Sequence, residues 1–323
     1  MAVTSSSTQS DLYFSEVLGR GALAAAQPRP IAMQFVNQYS IAGRRADNLK
    51  LNRYTDIGPA GTATEGTPYT TITTMGVETP VTLTPTEAAV LMAELTDDAI
   101  ELVGGFESAR AIIEDGSQDD KLALLLPTAG RLARSAIEKA ETDLVAEYGN
   151  LTTSVGTTTV DLDLGVFEEA IYNLDIAEAH TQAYVANLHA RQVSDLRRAM
   201  AVTSGGLAGS VHVGSSVDHL ASPNGFKFNL LGVPVFQYDK SAELTANTGA
   251  DVVGAMFIRG IGNPEDPMGG SGEVGAFAMC EARSMQFGFE PDLEGRSIKV
   301  MVNWKYDTAV RDADFGVKIV TDA

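Results

Sequence analysis

The first eighty-odd residues constrain this chain most, because they hold too little bulky apolar side chain to fold by themselves. Residues 1–46 offer little periodic apolar pattern beyond a short candidate helix around Asp11 to Leu18. Gly19, Gly21 and the Gln27-Pro28-Arg29-Pro30 stretch follow, and the segment reads as an extended arm. Residues 47–84 place strand-like runs, Leu49 to Tyr54 and Tyr69 to Met75, on either side of a Gly/Pro/Thr centre from Gly58 to Gly66. That pattern suggests a long two-stranded hairpin. Such a hairpin is marginal in water, since pairing two strands does not offset the entropy of ordering them. Arm and hairpin make up about a quarter of the chain, too much for a frayed terminus. They are expected to be ordered largely by other copies of the same chain.

Beyond them the apolar rhythm strengthens. Thr84 reads as a helix N-cap, with Pro85 at the first helical position and Glu87 completing a capping box, so a helix is expected up to Gly104-Gly105. A longer helical pattern begins near Asp119-Asp120. It sets Ala129, Leu132, Ala133, Ala136, Ile137, Ala140, Leu144, Val145 and Tyr148 on one face. Unbroken, it would span about 45 Å; Pro127 should kink it or else mark its true start. After Asn150 come a helix from Val166 to Ala179, a strand from Tyr184 to Leu188 and a helix from Ala190 to Met200. A glycine-rich loop (Gly205, Gly206, Gly209, Gly214) leads to strands at Phe226 to Leu231 and Val233 to Tyr238, split by Gly232. Further strands are expected at Val252 to Arg259, Ala276 to Phe289, Ser297 to Tyr306 and Phe315 to Val320. Helices mixed with strands in this way imply an α+β architecture.

Charge narrows the function. The 323 residues carry a net charge of −19, which argues against a surface built to grip nucleic acid, since that needs clustered Lys and Arg. Residues 1–60 lean basic, with six basic groups (Arg20, Arg29, Arg44, Arg45, Lys50, Arg53) against four acidic ones. Fourteen acids face only five bases between Glu87 and Glu147. The two regions could attract each other within one chain or between copies. No apolar run reaches the roughly 18 residues of a membrane helix, and the polar start lacks the features of a signal peptide, so the chain is expected to stay in the cytoplasm where it is made. The single cysteine, Cys280, permits no intrachain disulfide and no multi-thiolate zinc site, and reads as a buried small apolar residue.

Catalytic spacings are absent: there is no G-x-S-x-G elbow, no H-E-x-x-H pair and no phosphate loop ending in Gly-Lys-Ser/Thr. His212 and His219 share a loop without a nearby thiol, and His180 and His189 flank a short strand as ordinary element-end residues. Asp97-Asp98 and Asp119-Asp120 are adjacent pairs whose side chains diverge by about 100° on a helix. Trp304 sits in a strand-like run and reads as core. No catalytic, cofactor-binding or metal-ligating residue is assigned.

The order of these parts resembles the tailed-phage major capsid protein family and its HK-ninety-seven-like capsid fold, which encapsulin compartments share. Ala63-Thr64-Glu65-Gly66 in a Thr-rich hairpin is similar to the family's extended loop. The helix from Arg131 to Tyr148, closing on Gly149-Asn150, resembles its long spine helix. Residues Phe167 to Leu174 and Ala183 to Arg197 resemble the helix–strand–helix opening of the axial domain, and Leu231-Gly232-Val233-Pro234-Val235 a turn within it. Glu290-Pro291-Asp292 to Asp322 resembles the strands that return to the peripheral domain.

The resemblance implies an N-terminal arm at 1–46 and an extended β-hairpin loop at 47–84. A peripheral domain with the spine helix would occupy 85–160 and 283–323, and an axial domain 161–282. It implies no enzyme and no cofactor, but a subunit that assembles into pentamers and hexamers of an icosahedral head around double-stranded DNA, touched weakly and non-specifically. A virion protein assembled in the host bacterial cytoplasm is implied, with a portal, a candidate decoration protein and no membrane partner. Some relatives carry a cleaved N-terminal scaffolding segment; here the recognisable arm begins within the first twenty residues, so a separate scaffolding protein is expected. Covalent cross-linking through a loop lysine is not expected, because Lys50, at the loop's base, is the only lysine in 47–84.

Contacts between copies are expected to join Arg44, Arg45, Lys50 and Arg53 to Glu114, Asp115, Asp119 and Asp120, with Glu65 also at an interface. The alternatives are an encapsulin-like compartment and, from another class, a soluble α+β hydrolase with a site at the Gly205–Gly214 loop.

Overall fold

The computed structural model describes residues 20–23, 31–43, 47–52, 80–96, 118–177, 184–207, 225–238, 245–246, 251–259, 275–292 and 297–322. Its helices are α1 (Gln118–Ala146), α2 (Leu164–Ile176) and α3 (Ala190–Leu207). A four-stranded sheet contains β1 (Asn37–Ser40), β4 (Thr86–Thr96), β11 (Phe277–Asp292) and β12 (Ser297–Val310), in the order β1-β11-β12-β4. A seven-stranded sheet contains β5 (Thr153–Val155), β6 (Tyr184–Leu188), β7 (Phe226–Leu230), β8 (Val233–Gln237), β9 (Thr245–Ala246), β10 (Asp251–Ile258) and β13 (Gly316–Asp322). Its order is β5-β13-β10-β6-β8-β7, with β9 also beside β10. A short ribbon pairs β2 (Leu49–Leu51) with β3 (Val81–Leu83).

The four-stranded sheet is built on strict alternation. Along β12, Ile298, Val300, Val302, Trp304 and Tyr306 are buried, while Lys299, Met301, Asn303 and Lys305 take the other face, the period-2 pattern of a sheet with one covered side. The covering element is α1. Ala129, Ala133, Ala136 and Ala140, all fully buried, recur at intervals of four and three and bring the helix backbone close to the sheet. Pro127 lies inside α1, so of the two readings of that proline the helix-start reading is the one corrected. The helix already has two turns behind it, and the proline costs the bond its own nitrogen would have given while its ring crowds the carbonyl four residues back.

The seven-stranded sheet is covered on both faces. On one side Phe167, Ala170 and Leu174 of α2 and Val193, Leu196 and Met200 of α3 pack against Ala186, Leu188, Val235, Met256 and Ile319. On the other, Val185, Val253, Ala255 and Phe257 join the core that contains α1. All eight residues of β10 are buried in consequence. Gly254 is a close-approach position: a Cβ there would lie 2.4 Å from Oε1 of buried Gln192. That amide's Nε2 donates to Val252 O, Ile319 O and Thr321 Oγ1 at 3.0–3.3 Å. An aromatic junction links the two sheets, with Tyr148, Phe257 and Phe277 at centroid separations of 5.0–5.8 Å. Burial pushes the Tyr148 phenol well above its ordinary pKa, and its oxygen accepts from Asn187 Nδ2 at 2.8 Å.

Two further expectations are corrected. Residues 86–96 form strand β4, not a helix: Ala89, Leu91, Ala93 and Leu95 turn toward the core and Val90, Met92, Glu94 and Thr96 outward. The Glu/Ala/Leu/Met composition favours helix, but pairing with the β-rich β12 from Thr86↔Tyr306 to Thr96↔Ser297 overrides it. Second, part of the arm belongs to the chain's own core. Ala32, Met33 and Phe35 form a buried 3-10 turn, and β1 pairs in parallel with β11 through Asn37↔Ala278 to Ser40↔Glu281. Residues 20–23 are helical, with Ala22 buried in the same core. The candidate helix at Asp11 to Leu18 lies outside the described residues.

Candidate functional site

Among the described residues no metal-holding cluster occurs, and the candidate surface is built outward from the arm. Glu141 lies on the buried face of α1, 2% exposed. Its carboxylate accepts from the backbone N–H groups of Ile31 (3.0 Å), Ala32 (2.6 Å) and Met33 (3.4 Å). One carboxylate thereby satisfies the open donors at the start of the 3-10 turn, the role a side-chain cap plays at a helix N-terminus. The sequence offered a signal for it, a carboxylate between Ala140 and Leu144 on an otherwise apolar stripe.

The base of the expected hairpin is present as the β2–β3 ribbon, with Leu49↔Leu83, Lys50↔Thr82 and Leu51↔Val81. Leu83 packs with Tyr39, Ile41, Ala278 and Cys280 in a small core of its own. Cys280 is fully buried, as expected, and burial raises its thiol to about 11. The run Tyr69 to Met75 lies outside the described residues.

Of the residues expected to join copies, Lys50 is exposed on β2. Asp119 and Asp120 lie in the first turn of α1. Arg44, Arg45, Arg53, Glu65, Glu114 and Asp115 lie outside the described residues, as do His180, His212, His219 and Asp97-Asp98. The Gly205–Gly214 loop is described only through residue 207, within α3. His189 follows β6, its Nδ1 accepting from Arg191 N at 3.2 Å. Trp304 is buried and donates from Nε1 to Glu281 at 3.0 Å.

The outward face of the four-stranded sheet is the largest feature the sequence did not announce. Val90, Met92 and Met301 are 48%, 64% and 41% exposed. Met92 and Met301 are direct cross-strand partners, and Met301 pairs on its other side with Gly288, which adds no side chain. Charges bound the patch where Lys299 meets Asp292 at 2.7 Å. This signal was hidden by the helical reading of 86–96.

Around α3, Asp195 is buried between two arginines, at 3.4 Å from Arg191 and 3.5 Å from Arg198, and Asp161 pairs with both. Burial first, then the Asp161 charge, raise the Asp195 carboxyl above its usual range; the arginines oppose them. Among the described residues no group of three His, Cys, Asp or Glu could hold a metal ion, and no helix is long and apolar enough to cross a membrane.

Neither a protein-family model nor a curated protein sequence matches the chain. Solved structures do. The capsid of Ralstonia phage GP4 is similar at 9% identity and a TM-score of 0.57, covering 90% of this chain and 87% of that one. The capsid of a native GTA particle computed with C5 symmetry gives 11% identity, a TM-score of 0.56 and 92% of both chains. A virus-like particle from Pyrococcus furiosus gives 8%, 0.51, and 94% of this chain with 98% of that one. The chain has the HK-ninety-seven-like α+β fold of phage capsid shells.

Proposed function

We propose that this chain is the major capsid protein of a tailed bacteriophage, a subunit that assembles into pentamers and hexamers of an icosahedral head enclosing double-stranded DNA. The observation that carries the reading is the overlay of about nine-tenths of its length on capsid chains of nearly equal length. The exposed apolar cluster of Val90, Met92 and Met301 on the outward side of the four-stranded sheet supports it, being a patch that a neighbouring copy would cover. In this reading α1 is the spine helix of the peripheral part, the seven-stranded sheet with α2 and α3 is the axial part, and β2–β3 is the root of the extended loop. The acidic bulk suits DNA that must slide in without sticking. Contacts from Arg44, Arg45, Lys50 and Arg53 to Glu114, Asp115, Asp119 and Asp120 of a neighbour remain part of the proposal. So do a separate scaffolding protein, a portal, a decoration protein and assembly in the bacterial cytoplasm.

The test is negative-stain microscopy of the purified full chain. Shells, tubes or rings of five or six copies are expected; a chain that stays monomeric at high concentration overturns the reading. The second and less supported reading is an encapsulin-like compartment that holds protein cargo; the similar virus-like particle from Pyrococcus furiosus shows that the fold also builds a particle of that name. Nuclease-protected DNA inside particles formed in infected cells supports the phage head, and a co-purifying enzyme without DNA supports the compartment.

A further inference from the structure

The turn between β7 and β8 holds a bulky apolar residue that is largely exposed. Leu231 has φ 53° and Gly232 φ 86°, so both central residues of this two-residue turn are left-handed, as a type I′ hairpin requires. Glycine adopts that conformation freely and asparagine readily, whereas a leucine there is strained. The Leu231 side chain is nevertheless 61% exposed. Strain held at an exposed, bulky, apolar position marks use outside the single chain.

A matching surface lies on α2. Tyr172 and Ile176 are 63% and 61% exposed and, four residues apart, share one side of the helix. Ile171, next in sequence to Tyr172, lines a cavity of about 290 Å³ together with Leu231, Tyr184, Pro234 and Arg259, so tip and helix lie at one end of the seven-stranded sheet. Charge divides between them. Exposed Glu168, Glu169 and Asp175 accompany Tyr172 on α2, while exposed Arg259 stands beside the tip with its guanidinium over the Phe35 ring.

We infer that the occupant of this surface is a second copy of the chain. The Leu231 tip of one copy rests on the Tyr172–Ile176 side of the next, and Arg259 faces Glu168, Glu169 and Asp175 across the contact. The inference rests on the shell reading and deepens it by naming one contact between copies. A tip meeting a different surface on its neighbour is a heterologous contact, the kind that closes rings.

Disulfide trapping tests it, because the single native cysteine, Cys280, is buried and new thiols report alone. Full-length Leu231→Cys and Ile176→Cys chains are assembled together and oxidised. The mixture is expected to give about tenfold more two-chain adduct than either variant alone, since a disulfide needs Cα atoms within about 7 Å. No adduct in the mixed assemblies overturns the contact, and equal adduct from either variant alone shows a symmetric contact and overturns it too. Leu231→Asn, which relieves the strain, is expected to raise the melting temperature of the unassembled chain and to slow assembly. If it assembles like the wild type, the contact is wrong and the shell reading stands. If the wild type forms neither rings nor particles, both fall.

Discussion

The two sheets solve the same burial problem differently. The seven-stranded sheet is closed, with helices on one face, the shared core on the other and a central strand, β10, that is buried throughout. The four-stranded sheet has α1 on one face; on the other, the β2–β3 ribbon packs against Ala278 and Cys280, and among the described residues Val90, Met92 and Met301 stay exposed on and beside the outer strand β4. A closed sheet takes its stability from within the chain, whereas an open apolar face gains it only when another surface arrives. Mutations should therefore separate folding from assembly according to the sheet they touch.

The largest effect is expected in the closed sheet. Phe257→Ala empties the site between Tyr148 and Phe277, and deletion of a fully buried phenylalanine costs about 3–5 kcal/mol. Urea denaturation of the unassembled chain should show that loss, and assembly should fail as a consequence of misfolding. Next in size is Glu141→Ala, which leaves the N–H groups of Ile31, Ala32 and Met33 without their acceptor. A cost of about 2 kcal/mol is expected for losing hydrogen bonds to a charged group. It should show as faster amide exchange and proteolysis within residues 31–36, with the seven-stranded sheet still protected.

These two sites also mark how far the sequence could be read. The strands around β10 and the hairpin of β11 and β12 were legible because β-branched and aromatic residues recur there between turn residues, and local pattern and tertiary demand agree. Residues 86–96 misled because a capping box followed by Ala, Leu, Glu and Met is a strong local helix signal; only the distant partner β12 makes it a strand. Ala32 to Tyr39 was read as arm because its apolar residues follow neither a helical nor a strand period and Pro30 precedes them. Its anchor is Glu141, more than a hundred positions away; that carboxylate stands out on the apolar stripe of α1, but no local pattern says which backbone it caps. The open face was invisible for the same reason, since it exists only once β4 and β12 are paired.

A smaller effect depends on pH. Asp195, flanked by Arg191, Arg198 and Asp161 with a weaker influence from Asp322, has its carboxyl raised in the folded state. The stability linked to its proton is whole below the unfolded value of about 3.9 and is lost as pH rises through the folded value. Asp195→Asn keeps a neutral group throughout. It should match the wild type near pH 3 and exceed it at pH 7, by less than about 1 kcal/mol given the partly exposed arginines. A variant less stable than the wild type at pH 7 would show that the two arginines outweigh burial.

The smallest effect on the chain itself should be the most damaging to the assembly. Replacing both Met92 and Met301 with threonine removes apolar area from a face that water already reaches, and threonine suits a strand. The melting temperature of the unassembled chain should hardly move, corresponding to a change within about 0.5 kcal/mol. If a neighbouring copy covers that face, each contact in every ring and shell loses apolar burial worth about 25 cal/mol per Å². The loss is repeated around the whole particle, so the concentration needed for assembly should rise steeply while the single chain keeps its fold. Light scattering against protein concentration measures the first quantity and thermal unfolding the second. Should stability fall and assembly persist, the four-stranded sheet would be a region that the chain completes for itself, and the contrast between the two sheets would disappear.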